Sequence, residues 1–89
     1  MVVRVLLADD NARFRGVLRR LLERDPDIVV VAEAGDGQAA LELADELQPD
    51  VVLMDVSMPG LDGLEATYAL KARHPDVTVL MLSVGDKEQ

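Results

Sequence analysis

The 89-residue sequence contains no cysteine, and its nine lysine and arginine residues are outnumbered by 17 aspartate and glutamate residues. The absence of cysteine excludes disulfides, thiolate metal sites and cysteine nucleophiles, and it suits a cytoplasmic protein. The net charge of -8 disfavours direct binding to nucleic acid or to an anionic membrane, because their phosphate groups would be repelled. We therefore expect a cytoplasmic protein that contacts neither nucleic acid nor membrane through this chain.

Long hydrophobic runs are absent as well. The apolar run that opens the chain, residues 2–8, is too short for a signal peptide or a membrane span. Apolar residues make up 49% of the sequence and charged residues 29%, a balance typical of globular proteins. Because 89 residues supply at most one hydrophobic core, we expect a single domain over residues 1–89.

Four short segments are apolar, rich in β-branched residues and bounded by proline, glycine or aspartate. They are residues 2–8, 28–34, 51–54 and 77–82. Runs of this length and composition are typical of strands that are buried on both faces of a sheet. The sequence therefore predicts four strands.

The segment between the first two strands has apolar residues at helical spacing. It can begin after Asn11 as N-cap and should end near Asp25-Pro26, because a residue before proline disfavours the helical conformation. Its predicted inner face consists of Phe14, Val17, Leu18, Leu21 and Leu22. Arginines fill most of the other positions, which predicts a solvated outer face.

Two further helices are predicted between the later strands. The second helix follows Asp36 as N-cap, and the third covers residues 64–74 and stops before Pro75. The inner face of the second helix should consist of Ala40, Leu43, Ala44 and Leu47. Strand and helix then alternate along the whole chain, which predicts a parallel sheet with right-handed crossovers and helices on both faces.

Polar residues follow three of the predicted strands. Asp9 and Asp10 follow the first, Asp55 follows the third and Ser83 follows the fourth. In a parallel α/β sheet the ligand crevice lies at the carboxyl ends of the strands. We therefore expect these four side chains to meet at one edge of the sheet.

Three neighbouring carboxylates repel one another unless a proton or a cation offsets their charge. Mg²⁺ is the natural candidate, because it binds one or two carboxylates, retains waters and leaves positions for phosphate oxygens. An aspartate beside such an ion can act as a nucleophile toward a phosphoryl group. The hydroxyl of Ser83 could then donate a hydrogen bond to a phosphoryl oxygen.

Taken singly, each acidic residue has an ordinary local explanation. Asp9 and Asp10 could cap the first helix, and Asp55 could open a turn toward Pro59-Gly60. Unrelated polar residues would, however, be distributed over both ends of a sheet, whereas these collect at one. Their coincidence favours a site.

Four stretches of the sequence carry a resemblance to a known family. They are residues 5–10, 35–41, 49–63 and 79–83. Together they resemble the receiver domain of bacterial two-component response regulators, in particular the NarL/LuxR-type subfamily, whose members usually carry a DNA-binding helix-turn-helix after the receiver. The resemblance implies a flavodoxin-like (CheY-like) doubly wound parallel sheet with strand order 2-1-3-4 and, in this chain, a missing fifth strand.

The resemblance also implies roles for individual residues. Asp55 would be both the phosphoacceptor and a Mg²⁺ ligand, Asp10 a direct Mg²⁺ ligand, and Asp9 an acidic partner that acts mainly through metal-bound water. The backbone carbonyl of Ser57 would complete the protein ligands, and Ser83 would be the switch hydroxyl. The phosphodonor would be a phosphohistidine of a sensor histidine kinase, and the receiver would catalyse its own phosphorylation without being a turnover enzyme.

The chain departs from the family pattern after its fourth strand. Complete receivers continue with a helix, a strand that supplies a lysine to the phosphoryl group, and a last helix, whereas this sequence stops at Gln89. Lys87 is not expected to take the role of that lysine. We expect a receiver truncated after the fourth strand, whose exposed strand edge could pair with a second copy of the chain.

Three functions are therefore to be compared. The first is a Mg²⁺-dependent phosphoacceptor, and the second is a phosphorylation-incompetent fragment that acts as a dimerisation or protein-binding module. The third is an aspartate-nucleophile phosphohydrolase, which normally has a second aspartate two residues after the nucleophile. Ser57 stands at that position, which disfavours a hydrolase.

Overall fold

The computed structural model describes residues 1–56, 58 and 62–82. Strands and helices alternate throughout this part of the chain, as predicted. The elements are β1 (Val3–Ala8), α1 (Ala12–Leu22), β2 (Ile28–Ala34), α2 (Gly37–Leu47), β3 (Val51–Asp55), α3 (Gly63–Arg73) and β4 (Thr78–Leu82). Among the described residues, no helix has the length and hydrophobicity needed to cross a membrane.

The strands form one parallel sheet in the order β2-β1-β3-β4, which confirms the predicted order 2-1-3-4 and the CheY-like fold. At the carboxyl edge, Ala8 of β1 lies opposite Ala34 of β2 and Met54 of β3. Asp55 of β3 lies opposite Leu82 of β4. The carboxyl ends of all four strands therefore reach the same edge of the sheet.

Successive side chains of a strand point to opposite faces of the sheet, and helices cover both faces of the central strands. On one face, α2 and α3 cover a cluster of small and branched residues. This cluster includes Leu6, Val52, Met54, Ala40, Ala44, Ala66 and Leu70. On the other face, Val5, Leu7, Val30 and Leu53 pack with Leu18 and Leu22 of α1. The continuous apolar runs of β1 and β3 are explained by this double burial.

The apolar face predicted for α1 is only partly covered. Leu18 and Leu22 pack on the sheet, but Val17 is 49% exposed and Leu21 is 54% exposed. The helix has no fully buried residue. Its apolar stripe is wider than the sheet surface that it contacts, so the prediction that all five residues face inward is wrong for Val17 and Leu21.

Helix boundaries follow the predicted caps, with two corrections. Asn11 and Asp36 are the N-caps of α1 and α2, as predicted. The first helix ends at Leu22 rather than near Asp25-Pro26, because Asp25 forms a tight turn in which its backbone N–H donates to the Leu22 carbonyl. The third begins one residue early, at Gly63, because the Asp62 side chain accepts a hydrogen bond from the Glu65 backbone and so caps the helix there.

Candidate functional site

The structure brings three of the predicted acidic residues together. Carboxylate oxygens of Asp9, Asp10 and Asp55 all lie within 4.8 Å of one another. This proximity follows from the fold, since β1 and β3 are neighbours and their carboxyl ends are in register. Asp9 is 3% exposed and Asp55 is 1% exposed, whereas Asp10 is exposed to solvent. The result is a partly buried acidic cluster at the edge where α/β sheets bind ligands.

Hydrogen bonds of its N–H, its carbonyl and its carboxylate help to hold Asp9 in place. Its backbone N–H donates to the Ala34 carbonyl of β2 at 3.0 Å, and its carboxylate accepts from the Asn11 backbone N–H at 2.8 Å. Its backbone carbonyl accepts from Nη1 of Arg15. These contacts fix both the backbone and the side chain of Asp9.

The hydrogen bonds at the start of α1 show whether Asp9 or Asp10 caps this helix. Asn11 caps α1, because its side chain accepts a hydrogen bond from the Phe14 backbone N–H at 2.9 Å. Asp9 supports the turn before the cap through its bond to the Asn11 backbone. The N-cap is therefore neither Asp9 nor Asp10.

Asp55 is the last residue of β3, and its backbone is in close contact with the first residue of α3. A Cβ atom built on Gly63 would lie 2.2 Å from the Asp55 carbonyl oxygen and 2.7 Å from the Cα of Val56. Only glycine allows this approach, because any side chain would collide with backbone atoms. Sequence reasoning missed this contact, because a glycine directly after the N-cap also begins α2, so the local sequence does not distinguish a close backbone approach from an ordinary helix start.

Two predicted site residues, Ser57 and Ser83, lie outside the described residues, as does Lys87. The roles of the Ser57 carbonyl and the Ser83 hydroxyl therefore stay predictions. Met58, which follows Ser57, is buried in the core cluster beneath α2 and α3.

The acidic cluster fits a small, hard cation. Opposite ligands of one Mg²⁺ ion lie about 4.2 Å apart, since each ligand is about 2.1 Å from the metal. Three carboxylates within 4.8 Å can therefore contact one ion, either directly or through the waters that Mg²⁺ retains. All the donor atoms are oxygens, which Mg²⁺ prefers, and the cation would offset the mutual repulsion of the carboxylates.

A second charged cluster lies behind Asp9, between α1 and β2. Arg15 Nε pairs with Glu33 Oε1 at 3.0 Å, and Arg19 Nη1 pairs with Glu33 Oε2 at 3.1 Å. The prediction that the arginines of α1 form a solvated face is thus wrong for Arg15, whose side chain is 17% exposed and folds onto β2. Burial alone would raise the pKa of the Glu33 carboxyl, but hydrogen bonds from Arg15 and Arg19 outweigh it and hold that pKa below its ordinary value.

Comparisons of the sequence with protein families and with known proteins agree with one another. Residues 5–89 match the response regulator receiver domain. The chain is 44% identical over 86 residues to the transcriptional regulatory protein DegU of Brevibacillus brevis. It is also 44% identical over 85 residues to protein-glutamate methylesterase/protein-glutamine glutaminase 2 of Carboxydothermus hydrogenoformans. These matches cover 97% and 96% of this chain, but only 36% and 24% of the two relatives.

Solved structures agree with this assignment. A two-component response regulator of the LuxR family from Aurantimonas sp. superposes with a TM-score of 0.91 at 37% identity, over 97% of this chain and 61% of that one. The chain thus spans less than two thirds of each of these relatives. The two curated relatives have different named activities, so what all of them share with this chain is the receiver region.

Proposed function

Because this chain belongs to the receiver-domain family of two-component response regulators, we propose that it accepts a phosphoryl group on Asp55 from a phosphohistidine of a sensor histidine kinase. The observation that carries the proposal is the position of the nearly buried Asp55 carboxylate within 4.8 Å of the Asp9 and Asp10 carboxylates. This arrangement suits a nucleophile beside a divalent cation.

In the proposed reaction a carboxylate oxygen of Asp55 attacks the phosphorus atom. The bond from phosphorus to the donor imidazole nitrogen breaks as the acyl phosphate forms, and the imidazole takes up a proton. Mg²⁺, when bound, would offset the charge on the phosphoryl oxygens. Asp10 would bind the ion directly, and Asp9 would bind it through water.

The chain itself supplies positioning. Asp55 is fixed by the parallel ladder between β3 and β4 and by the backbone contact with Gly63. A fixed nucleophile lowers the entropy lost on the way to the transition state. We assign the Ser57 carbonyl to the metal and the Ser83 hydroxyl to a phosphoryl oxygen, on the basis of the family resemblance.

The test is the intact mass of the protein before and after incubation with acetyl phosphate and Mg²⁺. We expect a gain of one phosphoryl group that disappears in Asp55→Asn and in the presence of a chelator. Circular dichroism of both proteins establishes that they are folded. A folded wild-type chain that gains no mass under these conditions would contradict the proposal.

The wider role is part of the same proposal. Receiver domains are signalling modules, which disfavours the hydrolase alternative. Similarity to the transcriptional regulatory protein DegU supports a role in transcriptional regulation. We propose that phosphorylation takes place in the cytoplasm. The acidic balance of this chain supports the absence of direct contacts to nucleic acid.

A binding or dimerisation role is the second candidate. Within the described residues β4 pairs on one side only, with β3, and Leu80 of β4 is 52% exposed. An open apolar edge strand favours pairing with another chain, for example a second copy. Sedimentation equilibrium checks this: we expect a concentration-dependent dimer that Leu80→Lys weakens, and a stable monomer at all concentrations would exclude it.

A further inference from the structure

The hydrogen bond from Arg15 to the Asp9 carbonyl links the acidic cluster to the charged network behind it. The side chain of Arg15 is 17% exposed and donates in two directions. Its Nη1 reaches the Asp9 carbonyl and its Nε reaches Glu33. The planar guanidinium can make both contacts at once, which a lysine ammonium on a flexible stem does less well.

The carbonyl that Arg15 holds belongs to the peptide unit between Asp9 and Asp10. Rotation of this peptide would change the direction of both side chains, because it alters the backbone dihedral angles on either side. The N–H side of Asp9 is fixed independently by the Ala34 carbonyl. Arg15 therefore fixes the side of Asp9 that leads into Asp10.

Glu33 holds Arg15 in the orientation that this contact requires. Its two carboxylate oxygens separately accept from Arg15 and Arg19, and Arg19 Nη2 also donates to the Val30 carbonyl at 3.3 Å. Glu23 completes the connection, since its carboxylate accepts from the Val30 backbone N–H at 2.9 Å. Arg15 is thus tied to the edge strand β2 by Glu33 Oε1, whereas Arg19 bonds to the other Glu33 oxygen and to Val30.

We propose that Arg15, oriented by Glu33, is a positioning residue that sets the geometry of the Asp9-Asp10 pair for the divalent cation. This inference rests on the proposed function, because it assumes that the acidic cluster binds Mg²⁺. Residues that orient metal ligands without touching the metal typically change affinity by about 10- to 100-fold when they are replaced. Arg15 is expected to act in this range.

Arg19 provides a matched control. It shares the Glu33 carboxylate with Arg15, and it donates hydrogen bonds to Glu23, Glu33 and Val30 rather than to Asp9. A general loosening of α1 would affect the metal equally in both variants. A positioning role predicts that replacing Arg15 weakens Mg²⁺ binding and that replacing Arg19 does not.

The experiment is calorimetric titration of Mg²⁺ into the full chain, with urea unfolding of each variant measured in parallel. We expect Arg15→Met to weaken Mg²⁺ binding at least about tenfold. Arg19→Met should change it by no more than about twofold, even where both variants lose similar stability. Arg15→Lys, which keeps the charge but not the planar fork, should lie between Arg15→Met and wild type.

The outcomes separate this inference from the function on which it rests. Equal weakening in Arg15→Met and Arg19→Met, or wild-type affinity in Arg15→Met, overturns the positioning role and leaves the metal site intact. A folded wild-type chain that does not bind Mg²⁺ overturns both. If Arg15→Met does not fold, the comparison of Arg15→Lys with Arg19→Lys decides, since equal affinities there also overturn the proposal.

Discussion

The two faces of the sheet are held by different means. Under α2 and α3 the contacts are apolar and close, with several alanines and Leu70 fully buried and a glycine touching backbone. Under α1 the apolar contact is partial, and arginine and glutamate side chains connect the helix to β2. The same sheet therefore holds α2 and α3 mainly through buried apolar side chains, and holds α1 partly through ion pairs and hydrogen bonds.

The largest expected contrast is between two leucines. Leu70 of α3 is fully buried, whereas Leu21 of α1 is 54% exposed. Leu70→Ala should lower the free energy of unfolding by about 3 kcal/mol, because it leaves a cavity. Leu21→Ala should lower it by less than about 0.5 kcal/mol. Urea denaturation of both variants checks this, and similar losses would show that the two faces are equally packed.

Replacing a glycine by alanine should have opposite effects on stability in α3 and in α1. Gly63→Ala places a Cβ against the Asp55 backbone, and should cost about 1–3 kcal/mol because backbone atoms must move. Gly16→Ala, in the middle of α1, has nothing within 4 Å of the added Cβ. It should stabilise the protein by about 0.5–1 kcal/mol through helix propensity. Thermal unfolding measures both, and the comparison fails if the two shifts have the same sign.

The ion pairs of Glu33 with Arg15 and Arg19 should contribute less stability in acid. Since the pKa of Glu33 is held below its ordinary value, its ionised form contributes stability above the unfolded-state pKa. That contribution is lost as the pH falls through the folded-state pKa. Glu33→Gln should therefore cost about 0.5–1 kcal/mol near neutral pH and progressively less below about pH 4. Urea unfolding of wild type and variant across this range tests it, and a pH-independent difference would contradict the ionic anchor.

The smallest effect is expected on the opposite face. Asp45 of α2 pairs with His74 at 2.7 Å and with Arg73 at 2.7 Å, both at the end of α3, and the Asp45 side chain is 47% exposed. The hydrogen bond with His74, with help from Arg73, holds the pKa of Asp45 below its ordinary value. Its contribution is likewise present above the unfolded-state pKa and lost in acid. Asp45→Asn should cost less than Glu33→Gln in the same assay, and a larger cost would mean that this face also depends on ion pairs.

Much of the fold follows from local patterns in the sequence. The β-branched runs predicted the strands, and the caps Asn11 and Asp36 were correct because a cap depends on its own helix turn. The proximity of Asp9 and Asp55 followed from topology alone, since parallel strands end at one edge. The strands and caps are determined by residues close together in the sequence. The proximity of Asp9 and Asp55 is determined by the topology that parallel α/β sheets share.

The errors concern contacts between elements. Arg15 occupies a polar position of α1, and nothing in its spacing indicates that it folds onto Glu33 and Asp9. The exposure of Leu21 depends on how much sheet surface α1 can reach, which periodicity does not specify. Gly63 contacts residues seven and eight positions earlier only because α3 returns to the end of β3. The predictions for Ser57 and Ser83 lie outside the described residues.

The position of Asp55 at the end of β3 has a kinetic consequence. A nucleophile on a mobile loop must be ordered each time it reacts, and this ordering contributes an unfavourable activation entropy. Asp55 is already ordered, because it lies in the parallel ladder opposite Leu82. In the proposed reaction, most of the activation entropy should therefore come from capture of the phosphodonor. The temperature dependence of the phosphorylation rate would then change more between donors of different size than between variants that loosen α1.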